Sequence, residues 1–120
     1  MPVRSYTSDR LPDLLDHWSA RRLKESGADC VKVEQAPTGD VVRWLGSTVA
    51  GISAMFQAAN RGKRSIVLDL KSESDREIFL KLVASADGLI EGFRAGVMER
   101  LRLGPEDCHA VNPGLVYGRM

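Results

Sequence analysis

The chain has 120 residues, a net charge of +1, 43% apolar residues and 28% charged residues. This length fits one domain, and the near balance of charges argues against a general nucleic-acid binder, which would carry a basic excess. No apolar run reaches the roughly 20 residues that cross a bilayer, and residues 1–18 lack the apolar core of a secretion signal. We therefore expect a cytoplasmic protein with neither a membrane nor a nucleic acid as its partner.

A first helix is predicted over residues 11–26, where apolar side chains recur at helical spacing: Leu11, Leu14, Leu15 and Trp18. Residues 30–34 (CVKVE) predict a short strand, and a loop rich in turn formers follows. Residues 47–60 are less clear, because Ser47 could cap a helix whereas β-branched residues and Gly51 oppose one.

The second half of the chain has a clearer pattern. A strand is predicted over residues 66–70 (IVLDL), and Ser72 with Asp75 resembles a capping box at the start of the next helix. One apolar stripe follows on that helix: Ile78, Phe79, Leu82, Val83 and Ala86. The remaining elements are a strand over 88–93, helices over 96–103 and 105–110, and a last strand over 114–120.

The chain contains two cysteines and two histidines, with no CxxC pair. This pattern predicts neither a metal site nor a redox dithiol. Cys30 lies within an apolar run, and we expect it to be a small core residue, since free cysteines are often buried.

Strands that alternate with helices, and that show little internal alternation, predict a parallel sheet covered by helices on both faces, an α/β fold. Ligands of such sheets bind beyond the carboxyl ends of the strands. The residues at those ends, most of them polar, are therefore candidates for a site. They are Glu34, Gln35, Asp69, Leu70, Lys71, Glu91, Gly92, Phe93, Arg94, Gly118 and Arg119. A set of ordinary polar loops is the alternative interpretation.

Lys63 and Arg64 belong to a basic turn, RGKRS, whose cations could bind phosphate. On spacing alone, a solvated turn is favoured. Neither the GxGxxG nor the GxxxxGK[ST] nucleotide fingerprint is present.

The end of the third predicted strand crowds an acid, a glycine, an aromatic residue and a cation into residues 91–94. Gly92 would let a backbone approach a ligand closely, and Phe93 could stack on an adenine or fill the core, of which spacing favours the core. Arg94 and Arg100 are six residues apart, so a bend at Ala95 and Gly96 would be needed to bring both to one anion.

Several blocks in order resemble the class III CoA-transferase (CaiB/BaiF) family, which includes the α-methylacyl-CoA racemases. The blocks are GADCVKVE, GD followed by Arg43, NRGKRSIVLDLKS, LIEGFRAGVMERLRLGPED and NPGLVYGRM. The resemblance covers residues 27–120 and implies part of a Rossmann-like α/β domain, with residues 1–26 as an atypical helical segment before it. It also implies interlocked homodimers, and coenzyme A or acyl-CoA as a substrate rather than a permanently bound cofactor.

The resemblance also assigns CoA-binding positions. The segments around Asp69 and Glu91 line the CoA cleft, the basic turn lies near the CoA phosphates, and the cation at position 100 contacts the nucleotide. The implied CoA-binding residues are Lys63, Arg64, Asp69, Leu70, Lys71, Glu91, Gly92, Phe93, Arg94 and Arg100. One position departs from the family, since Gln35 stands where relatives often have arginine.

Two departures from the family pattern concern the ends of the chain. Residues 1–18 resemble neither the family's opening strand nor its Gly-Pro turn, so we expect the sheet to lack the first strand. The catalytic residues of both enzyme types align beyond Met120, so no catalytic residue is assigned, and His17 and His109 match none.

The resemblance leaves two reactions open. A transferase uses an aspartate to attack an acyl-CoA thioester, whereas a racemase removes and replaces the α-proton of a 2-methylacyl-CoA. A different class of function is also open: a non-catalytic fragment that binds CoA, or that associates with a full-length relative. An incomplete reading frame is a third alternative.

Overall fold

The computed structural model describes residues 2–6 and 14–120, with side chains from Ala20 onward. Its main sheet contains five parallel strands: β1 (Pro2–Tyr6), β2 (Asp29–Gln35), β5 (Arg64–Leu68), β6 (Gly88–Glu91) and β7 (Val116–Arg119). Their order across the sheet is β5-β2-β1-β6-β7. The other strands, β3 (Thr48–Val49) and β4 (Ile52–Ser53), pair antiparallel as a small hairpin.

Helices connect these strands. They are α1 (Leu14–Glu25), a 3-10 helix (Val41–Trp44), α2 (Ala54–Asn60), α3 (Glu73–Ala84), α4 (Val97–Arg100) and α5 (Pro105–Val111). The prediction of a parallel α/β sheet is confirmed. None of the described helices is long and apolar enough to cross a membrane. Leu11 and Pro12, and the side chains of Leu14, Leu15, His17 and Trp18, lie outside the described part of the chain.

The expectation that the sheet lacks its first strand was wrong. Pro2–Tyr6 is the central strand, in register with β2 through Val3 and Cys30 and with β6 through Val3 and Gly88. In its sequence, PVRSY, only Val3 and Tyr6 are residue types that favour a strand. Pairing on both sides satisfies its backbone groups, and this tertiary contribution outweighs the weak local preference.

The two faces of the sheet differ in chemistry because side chains alternate along a strand. Cys30, Lys32 and Glu34 of β2 face α1 and α2: the Cys30 thiol lies 3.6 Å from the Ala20 carbonyl oxygen, and the Lys32 ammonium lies 3.1 Å from Asn60 Oδ1. Cys30 is fully buried, as expected.

The opposite face carries the apolar core, which α3 and α5 cover. Its buried members include Val33, Leu68, Leu70, Phe79, Val83, Ala86, Leu89, Met98, Leu103, Cys108 and Leu115. Asn112 ties the two helices together, since its amide donates to the carbonyl oxygens of Val83 and Ala86 at 2.9 and 2.7 Å.

Within residues 47–60 the helix, α2, begins only at Ala54, and Ser47 does not cap it. Ala50 and Gly51 both have positive φ (52° and 76°) and form the turn of the β3–β4 hairpin. The cap of α2 is Ser53, whose Oγ accepts from Phe56 N at 3.3 Å and donates to the Leu45 carbonyl at 2.6 Å.

The predicted capping box at the start of α3 is not formed. Ser72 precedes the helix but makes no side-chain cap. Asp75 instead reaches back to the amide of Asp69, with an N–Oδ2 distance of 2.8 Å. The apolar stripe is narrower than predicted, since Phe79 and Val83 are buried whereas Ile78 is 39% exposed.

This difference between neighbours is testable. Phe79→Ala should lower the free energy of unfolding by about 3–5 kcal/mol, because it leaves a cavity in the core. Ile78→Ala, one residue earlier and partly solvated, should lose less than about 1 kcal/mol. Urea unfolding of the protein at its natural length measures the free energy of unfolding of both variants. Equal decreases in the two variants would contradict the assignment of Phe79 to the buried face of α3.

Candidate functional site

The carboxyl ends of β2 and β5 meet the loop after β6 around a cavity of about 270 Å³, which we call the strand-end cavity. It is lined by Gln35, Ala36, Leu68, Asp69, Leu70, Lys71, Phe93, Val97 and Leu101. The structure therefore brings together five residues that the sequence singled out: Gln35, Asp69, Leu70, Lys71 and Phe93. They lie where the topology of a parallel sheet places a ligand.

The turn between β5 and α3 forms one wall of this cavity, and Asp69 holds its shape. The Asp69 carboxylate accepts from the amide of Lys71 at 3.0 Å, and its carbonyl accepts from Ser72 N at 2.8 Å. Arg76 donates to the Lys71 carbonyl at 2.9 Å. Asp69 thus serves the turn, and the side chain of Lys71 is left exposed at the cavity rim.

Glu91 is the anchor of the opposite wall. It is 3% exposed, and its carboxylate accepts from the amide of Phe93 at 2.8 Å and pairs with Arg119 Nε at 3.1 Å. Arg119 also pairs with Glu99 and lies 5.5 Å from the centre of the Tyr117 ring. These contacts fix the path of the half-buried Gly92 and so direct Phe93 toward the cavity.

Arg94 and Arg100 are both exposed, and neither lines the strand-end cavity. The guanidinium of Arg100 lies against Gly96, the residue that precedes α4. Gly96 has φ +84°, and a Cβ there would lie 3.2 Å from Arg100 Nη1. A side chain at position 96 would therefore be strained and would displace the arginine.

Lys63 and Arg64 lie at the other end of the sheet. Arg64 begins β5 and is in register with Val31, four residues before Leu68 at the cavity, or about 13 Å along the strand. It pairs with Asp29, and Lys63 donates to Asn60 Oδ1 at 3.1 Å. The structure does not bring the basic turn to the cavity.

On the opposite face of β2, the sequence prediction missed a buried polar cluster. Lys32 is 1% exposed and pairs with Asp40, which is 4% exposed. Asp40 Oδ1 also caps the 3-10 helix by accepting from Val42 N at 2.9 Å. Burial lowers the pKa of Lys32, and the Asp40 carboxylate partly offsets this effect.

Glu34 is the second centre of this cluster and is fully buried. Its carboxylate accepts from Arg43 Nε and Nη2 at 2.7 and 2.8 Å, from Ser65 Oγ at 2.6 Å and from Asp40 N at 2.8 Å. Burial alone would raise the pKa of Glu34, but these donors outweigh it and lower that pKa to about 2. Gly39 makes room for the contact, since a Cβ there would lie 2.8 Å from Glu34 Oε2.

Phe56 of α2 completes the cluster. Its ring centre lies 4.0 Å from the Arg43 guanidinium carbon and 4.7 Å from Lys32 Nζ, so both cations contact an aromatic ring. One feature of the sequence could have revealed that buried charges need partners here. Lys32 and Glu34 are two residues apart in a short apolar strand, so they share one face of a buried sheet and need partners there.

Cys108 and His109 both make contacts with backbone carbonyl groups of the fold. Burial raises the pKa of the Cys108 thiol to about 12, so this sulfur stays protonated at neutral pH. His109 Nε2 lies 2.9 Å from the Leu115 carbonyl oxygen, within the last helix-to-strand connection. Among these residues, no group of three or more His, Cys, Asp or Glu side chains is arranged to hold a metal ion.

Comparison with known proteins identifies relatives. The family described as CoA-transferase family III matches residues 17–120. An acetyl-CoA:oxalate CoA-transferase from Acetobacter aceti is 47% identical over 95 residues, which are 79% of this chain and 24% of that protein. A succinyl-CoA:mesaconate CoA-transferase from Haloarcula hispanica is 45% identical over 100 residues, covering 79% of this chain and 25% of that protein.

A crystal structure agrees with these sequence matches. A CaiB/BaiF family protein from Brucella suis superposes with a TM-score of 0.85 and 38% identity, covering 98% of this chain and 32% of that chain. The chain thus spans about a quarter of the length of the relatives it matches in sequence.

The buried pair of Lys32 and Asp40 generates a prediction. Lys32→Met should lower the free energy of unfolding by about 3–5 kcal/mol, because it leaves the Asp40 charge buried without its partner. Adding Asp40→Asn should recover at least about 1 kcal/mol, since the two effects are coupled. Urea unfolding gives the values, with exposed Lys81→Met as the control. Additive losses in the double variant would contradict the pairing.

Proposed function

Because the chain belongs to CoA-transferase family III, we propose that it forms the CoA-binding part of an enzyme that moves CoA between an acyl-CoA and a carboxylic acid. The relatives named above are CoA-transferases, and their names support transfer over the α-proton exchange of a racemase. No residue of this chain is proposed for the covalent step. CoA enters this proposal as part of the substrate.

The observation that carries the proposal is the composition of the strand-end cavity. It combines an aromatic ring from Phe93 and apolar walls from Leu68, Leu70 and Val97 with the cation of Lys71 at the rim. CoA presents an adenine, which packs on such walls, and phosphates, which bind cations. A cavity of about 270 Å³ would hold only a part of this large ligand.

The proposed contacts follow the positions of the side chains. Leu70, Lys71 and Phe93 would contact CoA directly, and exposed Arg94 and Arg100 would reach its phosphates from the neighbouring loop and from α4. Asp69, Glu91 and Gly92 belong to the walls and shape them through the contacts described above. Lys63 and Arg64 are left out of the proposal, because they lie at the other end of β5.

Substitutions at the cavity test this proposal. Phe93→Ala should weaken CoA binding about tenfold through lost stacking, and Lys71→Ala about fivefold through a lost charge-assisted contact. Lys81→Ala, which removes an exposed lysine from α3, is the matched control for Lys71→Ala. Calorimetric titration of the natural-length protein with CoA measures the affinities, and Phe93→Ala and Lys71→Ala affinities equal to that of the control would refute the site.

We also propose that the chain associates with a second copy of itself or with a full-length relative. Edge strand β5, the neighbouring hairpin and the 3-10 helix expose apolar side chains: Val67 at 49%, Val49 at 79%, Ile52 at 47% and Trp44 at 66%. An exposed strand edge beside apolar surface favours pairing with another chain. Association without catalysis is the alternative function for residues 1–120.

Light scattering on isolated residues 1–120 tests the association. We expect a mass of at least two chains, because the edge of β5 and the exposed apolar surface are open to pairing. A monomer of about 13.2 kDa would contradict the proposal. A cytoplasmic location stays a prediction, and cell fractionation would test it.

A further inference from the structure

A second cavity lies on the sheet face that the apolar core does not use. We call it the α2 cavity; its volume is about 580 Å³, and it lies between the 3-10 helix, β4 and α2. It is lined by Arg43, Ile52, Ala54, Phe56, Gln57, Ala58, Asn60 and Arg61. The lining includes two arginines, two residues with side-chain amides and several apolar residues, and none of the lining residues is acidic.

Arg43 is held in place before any ligand arrives. Its Nε and Nη2 donate to Glu34, and its guanidinium carbon lies 4.0 Å from the centre of the Phe56 ring. Among the described residues, Nη1 has no hydrogen-bond partner, and the side chain is 38% exposed. A fixed guanidinium with one open nitrogen loses little freedom when it binds an oxyanion.

Glu34 does not oppose an anion at this place. It does not line the α2 cavity, and both of its oxygens are already occupied by donors from Arg43, Ser65 and the Asp40 amide. Lys32 and Asp40 neutralise each other in the same cluster. Arg61 is exposed at the end of α2. Its charge helps to lower the pKa of Glu25, but Glu25 does not line the cavity.

The other walls limit the ligand. Asn60 is engaged, since its Nδ2 donates to the Phe56 carbonyl and its Oδ1 accepts from Lys32. Gln57 is exposed and can donate through its amide. Ile52 and Phe56 offer apolar surface beside the two arginines. A ligand with an oxyanion and a short apolar body matches these walls.

We propose that the α2 cavity binds a small organic oxyanion, a carboxylate or a phosphate, between Arg43 Nη1 and the guanidinium of Arg61, with its apolar part against Ile52 and Phe56. The proposal goes beyond CoA binding at the strand-end cavity, which lies across the sheet: Glu34 and Val67 face one side of the β2–β5 pair, and Gln35 and Leu68 face the other.

The experiment is a calorimetric titration of the natural-length protein with sodium isobutyrate, sodium acetate and inorganic phosphate, at an ionic strength held constant with chloride. We expect saturable binding in the millimolar range. If the ligand is a carboxylate, isobutyrate should bind at least threefold more tightly than acetate, because its methyl groups reach the apolar walls. If it is a phosphate, inorganic phosphate should bind more tightly than either carboxylate.

Two variants locate the site. Arg61→Gln removes a cavity charge without touching the Glu34 cluster, and it should weaken binding of the preferred anion at least fivefold. Lys81→Gln makes the same charge change on α3 and should leave the affinity unchanged. An oxyanion held by two cations should bind detectably below roughly 50 mM. Absence of saturable binding of every probe up to that concentration would overturn the proposal. Equal affinities in the two variants would also overturn it.

CoA titration of the same variants separates the two proposals. Arg61→Gln should keep the CoA affinity of the unsubstituted protein, and Phe93→Ala should keep its anion affinity. Loss of CoA binding in Arg61→Gln together with loss of anion binding in Phe93→Ala would mean one shared site, and would overturn the inference of a second one.

Discussion

Burial of Lys32 and Glu34 on one face of β2 is the constraint on which the arrangement of this chain depends. An ion taken out of water costs several kcal/mol unless good partners replace the water. Asp40 and Arg43 are those partners, and both come from the loop and the 3-10 helix that follow β2. The polar strand face can be buried only when that segment folds back over it.

This folded-back segment connects the two faces of the sheet. Ala36, at its start, lines the strand-end cavity, and Arg43, at its end, lines the α2 cavity. Asp40 lies between them and is tied to Glu34 through its amide and to Lys32 through its carboxylate. A buried ion pair is weak evidence for stability. We interpret this one as fixing the position of both cavity walls.

Several acids at the strand ends have a structural task, which explains why acids and cations are crowded there. Asp69 shapes the turn before α3, and Glu91 holds the amide of Phe93 and the guanidinium of Arg119. With those carboxylates occupied, Lys71, Arg94 and the aromatic ring of Phe93 are presented outward. In the segment 91–94, the glutamate thus anchors the loop and the glycine connects it to the phenylalanine. The phenylalanine forms an apolar wall of the cavity, and the arginine is solvated.

The sequence by itself determined the fold class, the positions of most elements and the strand ends at which the strand-end cavity lies, because apolar periodicity and turn residues are local properties. The blocks around GADCVKVE and LIEGF also identified the family. Tertiary structure decided the rest. PVRSY became the central strand because two neighbours pair with it, and Ser53 rather than Ser47 caps α2 because a hairpin intervenes.

The two sites show the same division. Lys71 and Phe93 follow strands that end at one edge of a parallel sheet, so their proximity could be read from order and topology. The partners of Lys32 and Glu34 lie six to 31 residues away in sequence. Which distant residue meets a buried charge depends on how the loop folds back over the strand, and no local pattern contains that information.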